Sequence, residues 1–187
     1  SQVAANYVCS QKIAEMMEDV GLDTLDDLAD QIMGVTEKSM RDAITEIPDG
    51  IYPYEGTIEG PGGREDIKVK VAVEVKGSDV IVDLDGSSPE VDWGGNVAYN
   101  FTYAYVFMAI KSAFNPDVPN NEGCIRPIAM KAPEGTVVNC RFPVAVAARL
   151  QVGHFMTEVV YRTFAPQKRL PEISGHRWRL IMYVPKR

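Results

Sequence analysis

The spacing of apolar residues changes period along the chain, and each change marks a new element. From Val3 to about Val20, the residues Val3, Tyr7, Ala14 and Met17 share one stripe at helical spacing, and Gly21 supplies a stop, so a helix is expected. Asp23 or Thr24 is placed to cap a second, longer helix whose positions Leu25, Leu28, Ile32, Met40, Ala43, Ile44 and Ile47 keep the 3.6 spacing, with Gly34 placed to bend it. Ile47-Pro48-Asp49-Gly50 ends this helix, because proline cannot continue the hydrogen-bond ladder and Asp-Gly supplies a turn.

Period 2 follows. Ile67, Val69, Val71, Val73 and Val75 alternate with Lys68, Lys70, Ala72, Glu74 and Lys76, the pattern of a strand with one buried and one wet face. The run Val80 to Leu84 lies across the turn Lys76-Gly77-Ser78-Asp79, which predicts a β-hairpin, and Ile51 to Glu59 adds a strand before it. Gly60-Pro61-Gly62-Gly63 lies between strands and is read as a wide turn, since a phosphate cradle would have to open a helix. Tyr99 to Phe114 alternates like a strand at its start, but its length and its alanines favour a helix. A loop through Pro119, Asn120, Asn121 and Gly123 then leads to an expected second hairpin, Arg126 to Lys131 and Thr136 to Cys140, joined by Ala132-Pro133-Glu134-Gly135. A last helix is expected from about Ala145 to Phe164, and Trp178 to Val184 reads as an edge strand.

These elements describe a single α+β domain over residues 1–187: a helical pair (1–47), a β-rich part with antiparallel hairpins (48–98), a helix-hairpin-helix part (99–165) whose two helices pack on the sheet, and a basic tail (166–187). The length of 187 residues, with 45% hydrophobic and 24% charged residues, is ordinary for one globular domain. A formal net charge of −7 removes the usual driving force for binding a phosphate backbone, so no nucleic-acid partner is expected. That charge is uneven: Glu15, Glu18, Asp19, Asp23, Asp26, Asp27 and Asp30 form an acidic stretch without a Lys or Arg, while Lys168, Arg169, Arg177, Arg179, Lys186 and Arg187 face only Glu172 in the tail. No apolar run is long enough to span a bilayer, and a cytoplasmic setting is expected from the irregular Cys9, Cys124 and Cys140.

Visible chemistry is sparse. The only histidines are His154 and His176, no G-x-S-x-G elbow accompanies them, and neither His-Glu-x-x-His nor a cysteine pair marks a metal site. His154 is expected to serve structure and His176 to lie in a surface turn. Asp83-Leu84-Asp85-Gly86-Ser87 lacks the third acid and the terminal glutamate of a calcium loop. What remains is the polar segment Asp83 to Asn96 after a buried strand, the kind of loop that a rigid scaffold can position for function. Asn96, Asn100, Asn120, Asn121 and Arg126 could join it as neutral donors and an anion partner around amide or carboxylate groups.

Ordered blocks then carry a resemblance. Gln2 to Asn6, Arg41 to Ile44 with Ile47 to Tyr52, Val82 to Val91, Pro119 to Ile128, Ala132 to Asn139 and Pro143 to Arg149 resemble the B-type subunit of the ATP-dependent hydantoinase/5-oxoprolinase family, over about residues 2–165. That family includes the B-type subunits of N-methylhydantoinases and the related subunits of acetone and acetophenone carboxylases. The resemblance implies an ATP-binding A-type partner subunit, with Mg, that activates an amide or enolate oxygen by phosphorylation, while the B-type part completes opening of a cyclic amide such as a hydantoin or 5-oxoproline, or a ketone carboxylation. Asp85, Ser87, Asn96, Asn120 and Arg126 fall in matching motifs and become candidate substrate-binding residues; none is given a catalytic role. Family subunits are several times longer, and the divalent-metal segment of carboxylase members lies upstream of the position matching Gln2. The chain is therefore expected to be an internal fragment, to bind no cofactor or metal itself, to be inert alone, and to assemble with the A-type subunit and other B-type copies. The alternative is a non-catalytic assembly module whose acidic helices and basic tail dock other subunits.

Overall fold

The computed structural model describes residues 1–164. The sheet is built on the strand with the cleanest alternation. Strand β2 (Ile67–Lys76) buries Ile67, Val69, Val71, Val73 and Val75 to at most 1% exposure, and turns Lys68, Lys70 and Lys76 to solvent. Antiparallel neighbours flank it: β1 (Gly50–Ile58), with Tyr52 opposite Val73, and β3 (Asp79–Asp83), with Val82 opposite Val73 across the tight Gly77 turn. That turn needs a left-handed backbone, and Gly77 adopts φ 59°.

Helices cover the inner face of the sheet. Helix α3 (Tyr99–Phe114) is helical throughout, so its opening aromatic alternation does not make a strand. Its residues Val106, Ala109 and Ile110 are fully buried. Helix α4 (Arg149–Phe164) packs on β1, β2 and α3, burying Val152, Met156, Val159 and Val160. The two helices approach closely at Gly153, where a Cβ would lie 2.7 Å from the Phe101 and Tyr105 rings.

The expected second hairpin does not form. Strand β4 (Ile128–Lys131) pairs parallel with β3, Val80 opposite Ile128 and Asp83 opposite Lys131. A parallel neighbour needs a long crossover, and the connection through α3 provides it. Residues 136–140 meet the segment after β3: Val137 N donates to Ser88 O, Val97 N to Val137 O, and Cys140 N to Val97 O. Periodicity marks a segment as strand-like but does not name its neighbour, and here the neighbour lies some 40 residues earlier. The sheet order is therefore β1-β2-β3-β4.

At the N-terminus, α1 (Gln2–Val20) and α2 (Asp26–Thr45) form as expected. Gly21 closes α1 in the left-handed conformation, and the Thr24 hydroxyl accepts from Asp26 N at the start of α2. Gly34 does not interrupt α2. Only the second half of α2 joins the core, through Met40 and Ile44, while Leu28 and Ile32 remain exposed. No residue of α1 is buried, so the stripe Val3, Tyr7, Ala14 and Met17 meets no core. The expected Trp178 to Val184 strand, His176 and the basic tail lie outside the described residues. Among the described residues no helix is long and apolar enough to cross a membrane.

The docking of α2 on the loop before β4 rests on the absence of one side chain. A Cβ on Gly123 would sit 2.0 Å from the Met33 carbonyl oxygen and 2.4 Å from Thr36 Oγ1. Gly123→Ala is thus expected to destabilise the fold by about 2–3 kcal/mol, read as a lowered urea midpoint with an unchanged slope.

Candidate functional site

The parallel β3–β4 pair ends on one edge of the molecule, and two loops leave it side by side. The first begins with an Asx turn in which Asp85 N donates to Asp83 Oδ1 at 2.9 Å, and it turns at Gly86 with φ 84°. Ser87 then leaves the surface. Its hydroxyl accepts from Lys70 N at 3.1 Å and lies 2.9 Å from Leu84 O, while Ser88 Oγ accepts from Lys68 N at 2.9 Å. These bonds lay residues 87–88 along the first part of β2, where β3 itself has already ended.

Asn96 fastens the first loop to the second. It is 0% exposed; its Oδ1 accepts from Val91 N at 2.8 Å, and its Nδ2 reaches Val91 O at 2.8 Å, Trp93 O at 3.1 Å and Ala145 O at 2.9 Å. The amide thus ties the turn 91–96 to a segment 49 residues later. Further links run between the loops: Glu90 N donates to Gly135 O, Arg141 N to Glu90 Oε1, and Ala148 N to Gly94 O. The result is a braced loop pair, 84–97 with 132–148, whose internal faces are committed to each other. Its outward residues include Asp85, Asp92, Glu134, Arg141 and Phe142.

Of the five candidate residues, this edge holds Asp85, Ser87 and Asn96, and of these three only the Asp85 side chain faces solvent. Asn120 and Arg126 sit at the other end of the β3–β4 pair, beyond the Ile128 end of a strand roughly 10 Å long. Asn120 is exposed, while its neighbour Asn121 is the structural one: Asn121 Oδ1 accepts from Gly123 N at 2.8 Å and from Thr36 Oγ1 at 2.6 Å. Arg126 has found its anion within the chain. Its guanidinium donates to Glu37 at 3.1 Å, Glu37 accepts from Arg41 at 2.9 Å, and Arg41 reaches Asp79 at 2.8 Å and Ser78 Oγ at 3.1 Å. This chain of charges pins α2 to the β2–β3 turn. The five residues therefore form two groups.

Residue types alone do not single out the segment 141–148, although it lies against the first loop. Its apolar composition, Phe142-Pro143-Val144-Ala145, reads as the approach to a helix; the fact that reveals its role, the Asn96 to Ala145 bond, is tertiary. Cys140, beside it, is held as a thiol: burial pushes its pKa up, and the nearby Glu90 charge adds to this. His154 is exposed and meets the Tyr105 ring edge-on at 5.5 Å. Among the described residues no three His, Cys, Asp or Glu side chains come together as a metal site would require.

Two outcomes follow from this geometry. Asn96→Ala leaves buried carbonyls without donors and is expected to cost about 2–4 kcal/mol by urea denaturation, and Asn96→Asp more, because it turns an acceptor toward those carbonyls. Glu37, beside Arg41 and Arg126, has its pKa held below the ordinary carboxylate value, chiefly by the hydrogen bond from Arg41 and then by that from Arg126. Its folded pKa lies under its unfolded one, so its stabilisation is complete above the unfolded value and is lost as pH falls through the folded value. Stability measured down the acid limb should therefore fall less steeply in Glu37→Gln than in the parent.

Comparison with known proteins gives this geometry a family. The family model of hydantoinase B/oxoprolinase matches residues 1–186. A protein of Pseudomonas sp. (strain NS671), proposed to be the B-type subunit of a D-/L-hydantoinase, is 34% identical over 177 residues, covering 88% of this chain and 30% of that protein. The 5-oxoprolinase 1 of Arabidopsis thaliana is 26% identical over 176 residues, 88% of this chain and 14% of its own length. Among solved structures, the ATP-dependent caprolactamase from Pseudomonas jessenii superposes with a TM-score of 0.79 at 22% identity, over 91% of this chain and 30% of that one. An acetone carboxylase in its nucleotide-free form superposes with a TM-score of 0.55 at 16% identity, over 67% of this chain and 18% of that one. The chain thus spans under a third of the length of these relatives. From the match across nearly its whole length, the chain belongs to the hydantoinase B/oxoprolinase family.

Proposed function

We propose that this chain is part of the B-type subunit of an ATP-dependent amidohydrolase that opens a cyclic amide of the hydantoin or 5-oxoproline class. The observation that carries the reading is the family match over residues 1–186, together with the 34% identity to the Pseudomonas hydantoinase relative. An unstrained cyclic amide is a poor electrophile, because nitrogen donates into the carbonyl. In this reading ATP and Mg on an A-type partner subunit activate the amide oxygen by phosphorylation, and the B-type part completes the opening: water adds to the activated carbon, the C–N bond breaks with a proton passing to nitrogen, and phosphate departs.

Within that division, the braced loop pair at the end of β3 and β4 supplies part of the pocket wall. Asp85 is the member able to accept a hydrogen bond from a ring N–H, since its carboxylate faces outward while Ser87 and Asn96 hold the loops. Arg126 belongs to the opposite end and contributes through the placement of α2, while Asn120 lies exposed at that end. No step is routed through a metal on the described residues; a divalent ion, in this reading, is held elsewhere in the parent protein. A second reading, the matching piece of an ATP-dependent ketone carboxylase, is favoured only by the acetone carboxylase fold, whose superposition is the weaker of the two.

The test is to co-express the full-length B-type protein with its ATP-binding partner and follow ADP release and ring opening. Hydantoin- or 5-oxoproline-dependent turnover is expected from the complex and none from the 187-residue chain alone. A complex showing no ring opening and no cyclic-amide-dependent ADP release would overturn the reading, and a carboxylated ketone product would replace it with the second. In the active complex Asp85→Asn should raise KM by about tenfold, as expected for one lost hydrogen bond to a charged acceptor. Because Asp85 is exposed, the same change should leave stability within about 0.5 kcal/mol.

A further inference from the structure

Two opposite charges at the turn of the first loop remain unspent. On the wet side of the sheet Glu55 stands opposite Lys70 in register, yet its Oε1 takes Lys68 Nζ at 3.3 Å. Asp83 uses its Oδ1 for Asp85 N at 2.9 Å and stands opposite Lys131 across the parallel pair. Lys70 and Asp85 are left over. Both are exposed, and among the described residues neither the ammonium nor the carboxylate has a hydrogen-bond or ion-pair partner. Only Gly86 separates them: Lys70 runs over it, so that a Cβ there would lie 3.0 Å from Lys70 Cδ and 3.4 Å from Nζ.

The backbone holds this pair in place. The Ser87 hydroxyl accepts from Lys70 N at 3.1 Å and lies 3.2 Å from Lys70 O, which fixes this residue of β2 against the turn. The edge therefore presents a cationic donor and an anionic acceptor side by side. An amide constrained in a small ring is cis, so its N–H and C=O point out along one edge. An acyclic secondary amide strongly prefers trans, with the two groups on opposite sides. Adjacent acceptor and donor fit the first arrangement and can engage only one group of the second. A carbonyl oxygen has two lone pairs, so a bond from Lys70 uses one and leaves the other for phosphorylation.

We propose that Lys70 is a substrate-binding residue and that with Asp85 it selects cyclic over acyclic amides, Lys70 donating to the carbonyl oxygen while Asp85 accepts from the ring N–H. The inference rests on the cyclic-amide reading above and adds to it a second binding residue and a basis for ring selectivity.

The experiment uses the full-length B-type protein in complex with its ATP-binding partner and measures KM and kcat for the ring it opens. Lys70→Met should raise KM about tenfold, the effect of one lost hydrogen bond from a charged donor, with kcat within about twofold. Lys70→Arg keeps a charged donor and should return KM to within about threefold of the parent. Lys68→Met, which removes a charge already paired with Glu55, should change neither constant. Competition then tests the geometry. Inhibition by γ-butyrolactam, a bare cyclic amide, should weaken about tenfold in both Lys70→Met and Asp85→Ala, whereas its N-methyl derivative, which has no N–H, should weaken in Lys70→Met alone. All three sites are exposed, and circular dichroism checks that each variant folds. An unchanged KM in Lys70→Met, an equal rise in Lys68→Met, or an N-methyl lactam that responds to Asp85→Ala as the bare lactam does overturns this inference and leaves the cyclic-amide reading standing. A parent complex that opens no cyclic amide overturns that reading, and this inference with it.

Discussion

The inward face of β2 is the constraint on which the remaining structure depends. Five consecutive inward positions, Ile67 through Val75, are sealed from water, and each such side chain contributes about 1.5–3 kcal/mol on burial. A one-residue slip would put lysines in the core, so the register with β1 and β3 follows from that face alone. Helix α4 lies on it, and Gly56 of β1 makes room: a Cβ there would stand 2.6 Å from the Phe155 ring. Once α4 is seated, α3 packs against it, and the crossover through α3 delivers β4 to the free edge of β3. The position of the two loops at the end of β3 and β4 is thus inherited from the alternation in β2.

Much of this is legible in the residues because it is local. The β2–β3 hairpin follows from alternation on both sides of a four-residue turn, and both N-terminal helices follow from spacing and their stop signals. What is not legible depends on partners distant in sequence. Residues 136–140 have strand-like composition, but their hydrogen bonds go to the segment 88–97, which no local window contains. The stripe on α1 correctly marks a helix, and spacing alone cannot say that the stripe finds no core within the chain.

The candidate residues show the same division. Ser87 and Asn96 are recognisable as polar groups on a loop, but residue type does not tell whether a side chain faces a ligand or a backbone. Both face backbone: Ser87 meets Lys70, and Asn96 meets Val91, Trp93 and Ala145. Arg126 is recognisable as an anion partner, and the anion is Glu37 of α2 rather than a small molecule bound between the loops. A short polar motif can therefore mark the scaffold of a site as strongly as its surface.

The internal bracing of the loop pair separates two tasks that loops usually combine. The groups that hold its shape, Asn96 above all, are buried, whereas Asp85, Asp92, Glu134, Arg141 and Phe142 point away from the bracing. Substitution at those outward positions alters what the edge presents without removing the bonds that shape it. Such an arrangement is permissive to evolutionary change, since new side chains can be tried there at little cost to folding.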